Sequence, residues 1–202
     1  MITGGTGGHV IPAQNLANYF NSKNINCRII TDIRGCKYID NFKGKIHVIK
    51  SSNLNGNIIS KFIGLLSLFI GFIQSIIIII SYRPTNVISF GSYASFFPML
   101  CCLILKNIFK INLFIHEQNS VIGRTNRFFL SYINKLFLNF DILLNLSNKI
   151  KNKAHVVGSP EKSISNFVKN NSNVHKIFTI FIFGGSQGSE FLSKFSAKLI
   201  KI

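Results

Sequence analysis

The chain has 202 residues, 47% of them hydrophobic and 14% charged, with 23 Lys and Arg against 6 Asp and Glu for a formal charge of +17. That composition excludes a disordered tail and supplies a sizeable apolar core, and the length is long for one domain and short for two of about 150 residues. The basic excess fits an anionic partner (phosphorylated substrate, acidic membrane or nucleic acid); it fits equally a compositional drift toward Lys, Asn, Ile and Phe, because the lysines are scattered. With no basic-aromatic cluster or docking motif in view, nucleic acid is not an expected partner.

The chain opens on "MITGGTGGHV". Only Met1, Ile2 and Thr3 precede the glycines, so the first strand is expected to be a stub, against about five residues for an ordinary one. In "GGTGGH" (Gly4–His9) the glycines permit positive φ and close approach to a ligand. A helix from about Val10 then turns unpaired N–H groups and a positive dipole end toward an anion. Apolar runs at 26–31, 45–50, 85–90, 111–116, 135–140 and 154–158 read as buried strands. The stretches 10–22, 57–82, 94–107 and 122–133 suit helices. Such alternation predicts an α/β fold, a Rossmann-like doubly wound parallel sheet, with ligands beyond the strand C-termini.

The segment "FIGLLSLFIGFIQSIIIII" (62–80) holds 19 residues and no charge. As a helix it would reach about 28 Å, close to the roughly 30 Å hydrocarbon core of a bilayer. A true span would put the strands on either side of it on opposite sides of a membrane, and Gln74 interrupts the run. The expectation is therefore a helix half packed on the sheet, its apolar outer face dipping into a leaflet. Lys61 and Arg83 flank it and would add about 1 kcal/mol each against anionic headgroups. The four cysteines (Cys27, Cys36, Cys101, Cys102) show no metal-ligand spacing and read as reduced core residues. No metal or cofactor is expected.

After Gly158 the texture changes. Residues 1–158 read as one Rossmann-like domain and the polar stretch 159–176 as a linker. Residues 177–202 repeat the opening theme of apolar strand, glycine loop ("GGSQGS", Gly184–Ser189) and helix, as the first βα unit of a second domain. A single βα unit cannot bury its own apolar face, so that second domain is read as truncated.

Five blocks carry a resemblance: "GGTGGHVIPA" (4–13), "GSYASFFPML" (91–100), "HEQNSVIGRTNRFFL" (116–130), "VVGSPEK" (156–162) and "GGSQGSEFL" (184–192). In this order they resemble the MurG family, glycosyltransferase family 28 of GT-B fold, over its N-terminal domain and the first turn of its second. The resemblance implies transfer of N-acetylglucosamine from UDP-N-acetylglucosamine to undecaprenyl-pyrophosphoryl-N-acetylmuramoyl-pentapeptide (lipid I to lipid II) in peptidoglycan synthesis. It implies inversion at C1, and a peripheral place on the cytoplasmic face of the bacterial membrane. By the same likeness Thr6, Gly7 and Gly8 make donor contacts and cradle the acceptor diphosphate. His9 is a proton acceptor, a partner to phosphate, or a residue that only orients the loop. Asn119 is a nucleotide-sugar contact, Tyr93 lines the acceptor site, and Lys162 and Ser186 contact the donor. His116 and Glu117 shape a strand end, with Glu117 an alternative base. The chain departs from the family in "GSY" (91–93) for the usual "GGY", and in Lys162 where an arginine is usual, which keeps the charge but loses the bidentate fork. The resemblance leaves room for a two-chain enzyme whose donor domain is a separate polypeptide, and for a non-catalytic module that binds polyprenyl diphosphate.

Overall fold

The computed structural model describes residues 1–52, 57–142, 146–161, 182 and 189–199. The chain divides into two compact units, Met1–Lys162 and Ser163–Ile202. The first unit is a parallel sheet. Its strands are β1 (Ile29–Asp32), β2 (Ile46–Ile49), β3 (Asn86–Ser89), β4 (Asn112–Glu117), β5 (Lys135–Leu138) and β6 (Ala154–Val156), and every pairing is parallel. The stub expected at the N-terminus is one bridging residue: Ile2 pairs with Ile30 on one side and Ser89 on the other. Its N–H donates to the Ile88 carbonyl at 2.9 Å and its carbonyl accepts from the Phe90 N–H at 2.9 Å. The order is therefore β2-β1-Ile2-β3-β4-β5-β6.

The strands are short apolar runs between polar breaks, and the connecting helices decide which face each run buries. Helices α3 (Ile58–Tyr82), α4 (Phe96–Phe109), α5 (Arg124–Phe129) and α6 (Asn148–Lys151) supply Ile79, Met99, Phe129 and Ile150 to one core, shared with Leu113, Ile115, Leu136 and Leu138 of the sheet. A smaller cluster around Ala17, Cys27 and Ile29 lies under α1 (Gly7–Ser22). Right-handed crossovers send helices α3 to α6 to the same face of the sheet. The opposite face over β3–β5 is left as an apolar cavity of about 620 Å³, lined by Ile88, Phe114 and Phe137 with Leu16 and Phe20 of α1.

Three local differences from the sequence reading have physical causes. Helix α1 starts at Gly7, not near Val10, so the glycine loop runs directly into its first turn. The helix read at 122–133 shrinks to α5, because the Gly123 N–H is drawn to Glu117 Oε2 at 2.9 Å and the Asn134 N–H to the Leu113 carbonyl at 2.7 Å. A short helix α2 (Ile33–Cys36) follows β1 with Asp32 as its N-cap.

Helix α3 crosses over between β2 and β3 of one sheet and turns Gly64, Gly71, Ser75 and Ile79 inward. A methyl on Gly71 would lie 2.0 Å from the Lys50 carbonyl oxygen, so the helix touches the backbone that follows β2. Gln74, the polar residue within the apolar run, accepts the Lys50 N–H at 2.8 Å. By length and composition α3 is long and apolar enough to cross a membrane, yet this packing uses it as a crossover. Phe62, Leu65, Leu66, Phe69 and Ile77 remain exposed. All four thiols are free, and burial pushes those of Cys101 and Cys102 up to about 12.

In the second unit the described part is mainly helix α7 (Glu190–Leu199). Phe191, Phe195 and Leu199 recur every four residues and share one face, and Glu190 pairs with Lys194 at 2.6 Å.

Candidate functional site

The strand order reverses at Ile2. The chain first builds outward through β1 and β2, then returns by α3 to β3 on the other side. Open α/β sheets bind ligands at such a switch point, beyond the strand C-termini. Three loops meet there: the glycine loop after Ile2, the β1–α2 turn, and the segment Gly91–Ser95 after β3. A methyl on Gly5 (φ +77°) would come within 2.8 Å of Ser92 Oγ and 3.8 Å of Arg34 Nη2. The three loops are thus in contact.

Two of the six acidic residues are almost fully buried, Asp32 and Glu117, each 1% exposed. Both end a strand. Asp32 Oδ1 accepts from the Gly5 N–H at 2.9 Å and the Gly35 N–H at 2.9 Å. Asp32 Oδ2 accepts from Arg34 Nε at 3.0 Å and Nη2 at 2.9 Å, and from Ser51 Oγ at 3.0 Å. Burial alone would raise this carboxyl; the two amide bonds and Arg34 outweigh it and hold the group below its ordinary value. The guanidinium of Arg34 lies 4.6 Å from the Tyr93 ring centroid. One carboxylate therefore fixes the glycine loop, the turn after β1 and, through Arg34, the ring of Tyr93.

Glu117 does the same for the loop after β4. Its Oε1 accepts from the backbone N–H and Nδ2 of Asn119, both at 3.1 Å, and its Oε2 from the Gly123 N–H at 2.9 Å and Asn126 Nδ2 at 2.8 Å. Four donors occupy the carboxylate, which ties Asn119, Gly123 and Asn126 to the end of β4. Asn119 is exposed, with its amide nitrogen bonded to Glu117.

His9 Nδ1 lies 2.8 Å from the Phe90 carbonyl. A carbonyl only accepts, so Nδ1 carries a proton in this contact. The N–H groups of His9 and Val10 both reach back to the Thr6 carbonyl, at 3.1 and 3.2 Å. Those of Gly7 and Gly8, at the first two positions of α1, have no carbonyl one turn earlier within the helix. His116 Nε2 donates to the Gly158 carbonyl at 2.9 Å and its Nδ1 accepts from Gln118 Nε2 at 2.6 Å. Burial lowers its pKa, against the opposing effects of the Gly158 carbonyl and Glu117. Asn15 Nδ2 donates to the Pro160 carbonyl at 3.1 Å, so two side chains hold the segment leaving β6 beside the site.

Of the residues expected from sequence, Thr6, Gly7, Gly8, His9 and Tyr93 come together at the switch point. Asn119 and Glu117 sit at the neighbouring strand end. Lys162 and Ser186 lie outside the described residues. Sequence reasoning passed over Asp32, Arg34, Gln118 and Asn126. For Asp32 a signal was present: an acid closing the apolar run "RIITD" in a chain with few acids.

The family model for the glycosyltransferase family 28 N-terminal domain matches residues 1–138. The chain is 33% identical over 205 aligned residues to a curated protein of Rickettsia bellii, named UDP-N-acetylglucosamine–N-acetylmuramyl-(pentapeptide) pyrophosphoryl-undecaprenol N-acetylglucosamine transferase; the match covers 100% of this chain and 56% of that protein. A Zymomonas mobilis protein of the same name is 31% identical over 96% of this chain and 50% of its own length. The chain thus spans about half the length of the curated relatives it matches. A crystal structure of MurG from Acinetobacter baumannii superposes with a TM-score of 0.57 at 18% identity, covering 79% of this chain and 43% of that one, which establishes the likeness of fold.

Proposed function

This chain belongs to glycosyltransferase family 28, and from that premise we propose that it is the acceptor-binding, membrane-facing half of a UDP-N-acetylglucosamine transferase of peptidoglycan synthesis. The acceptor is lipid I, an undecaprenyl diphosphate-linked N-acetylmuramoyl-pentapeptide, and the product lipid II. The observation that carries the reading is the convergence of the glycine loop and the 91–95 loop on the switch point, with the amides of Gly7 and Gly8 at the start of a 16-residue helix.

The division of labour follows from the hydrogen bonds. The first-turn amides and dipole of α1 receive diphosphate oxygens. His9, its Nδ1–H held by the Phe90 carbonyl, turns Nε2 to the acceptor hydroxyl and takes its proton as that oxygen attacks C1 of the donor sugar, while the C1–O bond to UDP breaks and UDP leaves with the electron pair from the opposite face. Glu117 positions Asn119, which contacts the nucleotide sugar; Thr6, Lys162 and Ser186 are the donor contacts carried over from the family. Tyr93, under Arg34, lines the acceptor side. The apolar outer face of α3, with Lys61 and Arg83 at its ends, lies in the inner leaflet on the cytoplasmic side and keeps the site near the polyprenyl chain. Residues 159–176 serve as the linker and 177–202 begin a second, donor-binding domain.

The test is co-sedimentation with anionic vesicles that contain undecaprenyl diphosphate, undecaprenol or neither. The expected result is binding to all three, several-fold tighter when the diphosphate is present, with the increment lost in Gly7→Val. Equal binding to diphosphate and alcohol vesicles sinks the reading.

A further inference from the structure

We infer that Arg34 is a ligand-binding residue of this site, a fixed cation that takes an oxygen of the diphosphate opposite the first turn of α1. The inference rests on the acceptor reading above and adds to it a residue outside every glycine motif. Three observations carry it. Arg34 is immobilised: Nε and Nη2 both bond to Asp32 Oδ2 at 3.0 and 2.9 Å, and the guanidinium stacks 4.6 Å from the Tyr93 centroid. It is presented to solvent: its side chain is 43% exposed while the carboxylate it grips is 1% exposed. And it is adjacent: Nη2 would lie 3.8 Å from a methyl on Gly5.

An arginine tethered only to lock a turn has no need of an open edge. Here Nη1 has no partner among the described residues, and the buried Asp32 charge is shared among two backbone amides and a hydroxyl besides Arg34. The member of the pair that faces solvent is therefore the cation, 43% exposed against 1% for the carboxylate. A planar guanidinium held on one edge and free on the other suits phosphate oxygens, and its ordering cost is already met by Asp32 and Tyr93.

The experiment titrates the full chain with farnesyl diphosphate, UDP and inorganic pyrophosphate by calorimetry, for the wild type, Arg34→Met, Arg34→Lys and Arg28→Met. Arg28 is the control: it also stacks on a tyrosine, Tyr82, at 4.0 Å, and its loss changes the net charge equally, at the opposite end of β1. The expected result is a loss of about tenfold or more for Arg34→Met and a smaller loss for Arg34→Lys, with Arg28→Met unchanged. Farnesyl diphosphate affected more than UDP assigns Arg34 to the acceptor; the reverse assigns it to the donor. Thermal melting of each variant reports separately on folding. Arg34→Met binding like the wild type, or no more weakly than Arg28→Met, overturns the inference and leaves the acceptor reading standing. A wild type that binds none of the three ligands overturns both.

Discussion

Ser92 has φ +75° and ψ 150°, a region of backbone space that is nearly glycine-only because an L side chain collides with its own peptide groups there. It follows Gly91, itself at φ +84°, and stands where the family usually has the second glycine of "GGY". Holding a serine in that conformation costs about 1–3 kcal/mol. Replacing it by glycine removes the strain but adds about 0.5–1 kcal/mol of backbone entropy cost. It also deletes an Oγ contact to the Ala94 N–H that, at 3.4 Å, is at the long limit of a hydrogen bond and contributes at most about 0.5 kcal/mol. Ser92→Gly is therefore expected to stabilise the first unit by about 1 kcal/mol, a rise in Tm of about 2–4 °C for a unit of this size. Ser92→Ala keeps the strain and loses only the hydroxyl, so it should melt at or slightly below the wild type. The assay is thermal and urea unfolding followed by circular dichroism on the three proteins side by side. A glycine variant that melts no higher than the alanine variant would refute the strain argument, since the two differ only by the Cβ.

Gly71→Ala should destabilise by about 1–3 kcal/mol despite alanine's better helix propensity, because the new methyl would lie 2.0 Å from the Lys50 carbonyl oxygen; unchanged urea unfolding would show that α3 does not press on that backbone. The lowered pKa of His116 makes native stability fall as pH drops below the ordinary value of 6.5, because the unfolded chain takes up the proton first. His47, also lowered by burial, contributes with the same sign, so the check is a shallower slope of Tm between pH 7.5 and 5 in His116→Gln than in the wild type. Asp32, held below 3.8, adds a separate loss that begins only as pH falls below that value and should be absent in Asp32→Asn.

The sheet was legible because its strands are apolar runs bounded by polar or glycine-containing breaks, and each of the six expected runs contains or overlaps a strand. The α/β alternation gave the parallel architecture by the same route. What periodicity could not supply is where a helix ends when a side chain from another element competes for its first or last amide. Helix α5 is the example. Residues 122–133 satisfy helical spacing, but Glu117 claims the Gly123 N–H and the sheet claims Asn134. In α3 the sequence showed an uncharged, largely apolar run, and only packing distinguishes its small inward residues, Gly64 and Gly71, from the bulky outward ones.

For the site, the glycine motif was readable and its internal arrangement was not. The sequence suggests a glycine loop from Gly4 to His9 whose backbone approaches a ligand, without saying which amides are free. In the fold these are unequal: the Gly5 N–H belongs to Asp32, 27 residues away, and the His9 N–H bonds to Thr6. Among the described residues, the amides of Gly7 and Gly8 are the ones at the mouth of α1 left without such a claim. Gly8 is exposed, and a methyl there would meet nothing nearer than Thr6 Oγ1 at 3.9 Å, so its small size is not required by packing. Gly5 differs, since its positive φ and its contact with Ser92 would make any side chain costly. The glycines of one short motif thus divide: Gly5 lets the loop turn and be gripped by an acid, Gly8 exposes backbone, and Gly4 and Gly7 are buried against neighbouring side chains. That division depends on Asp32, a residue whose importance lies in partners that become its neighbours only once β1 has paired with Ile2.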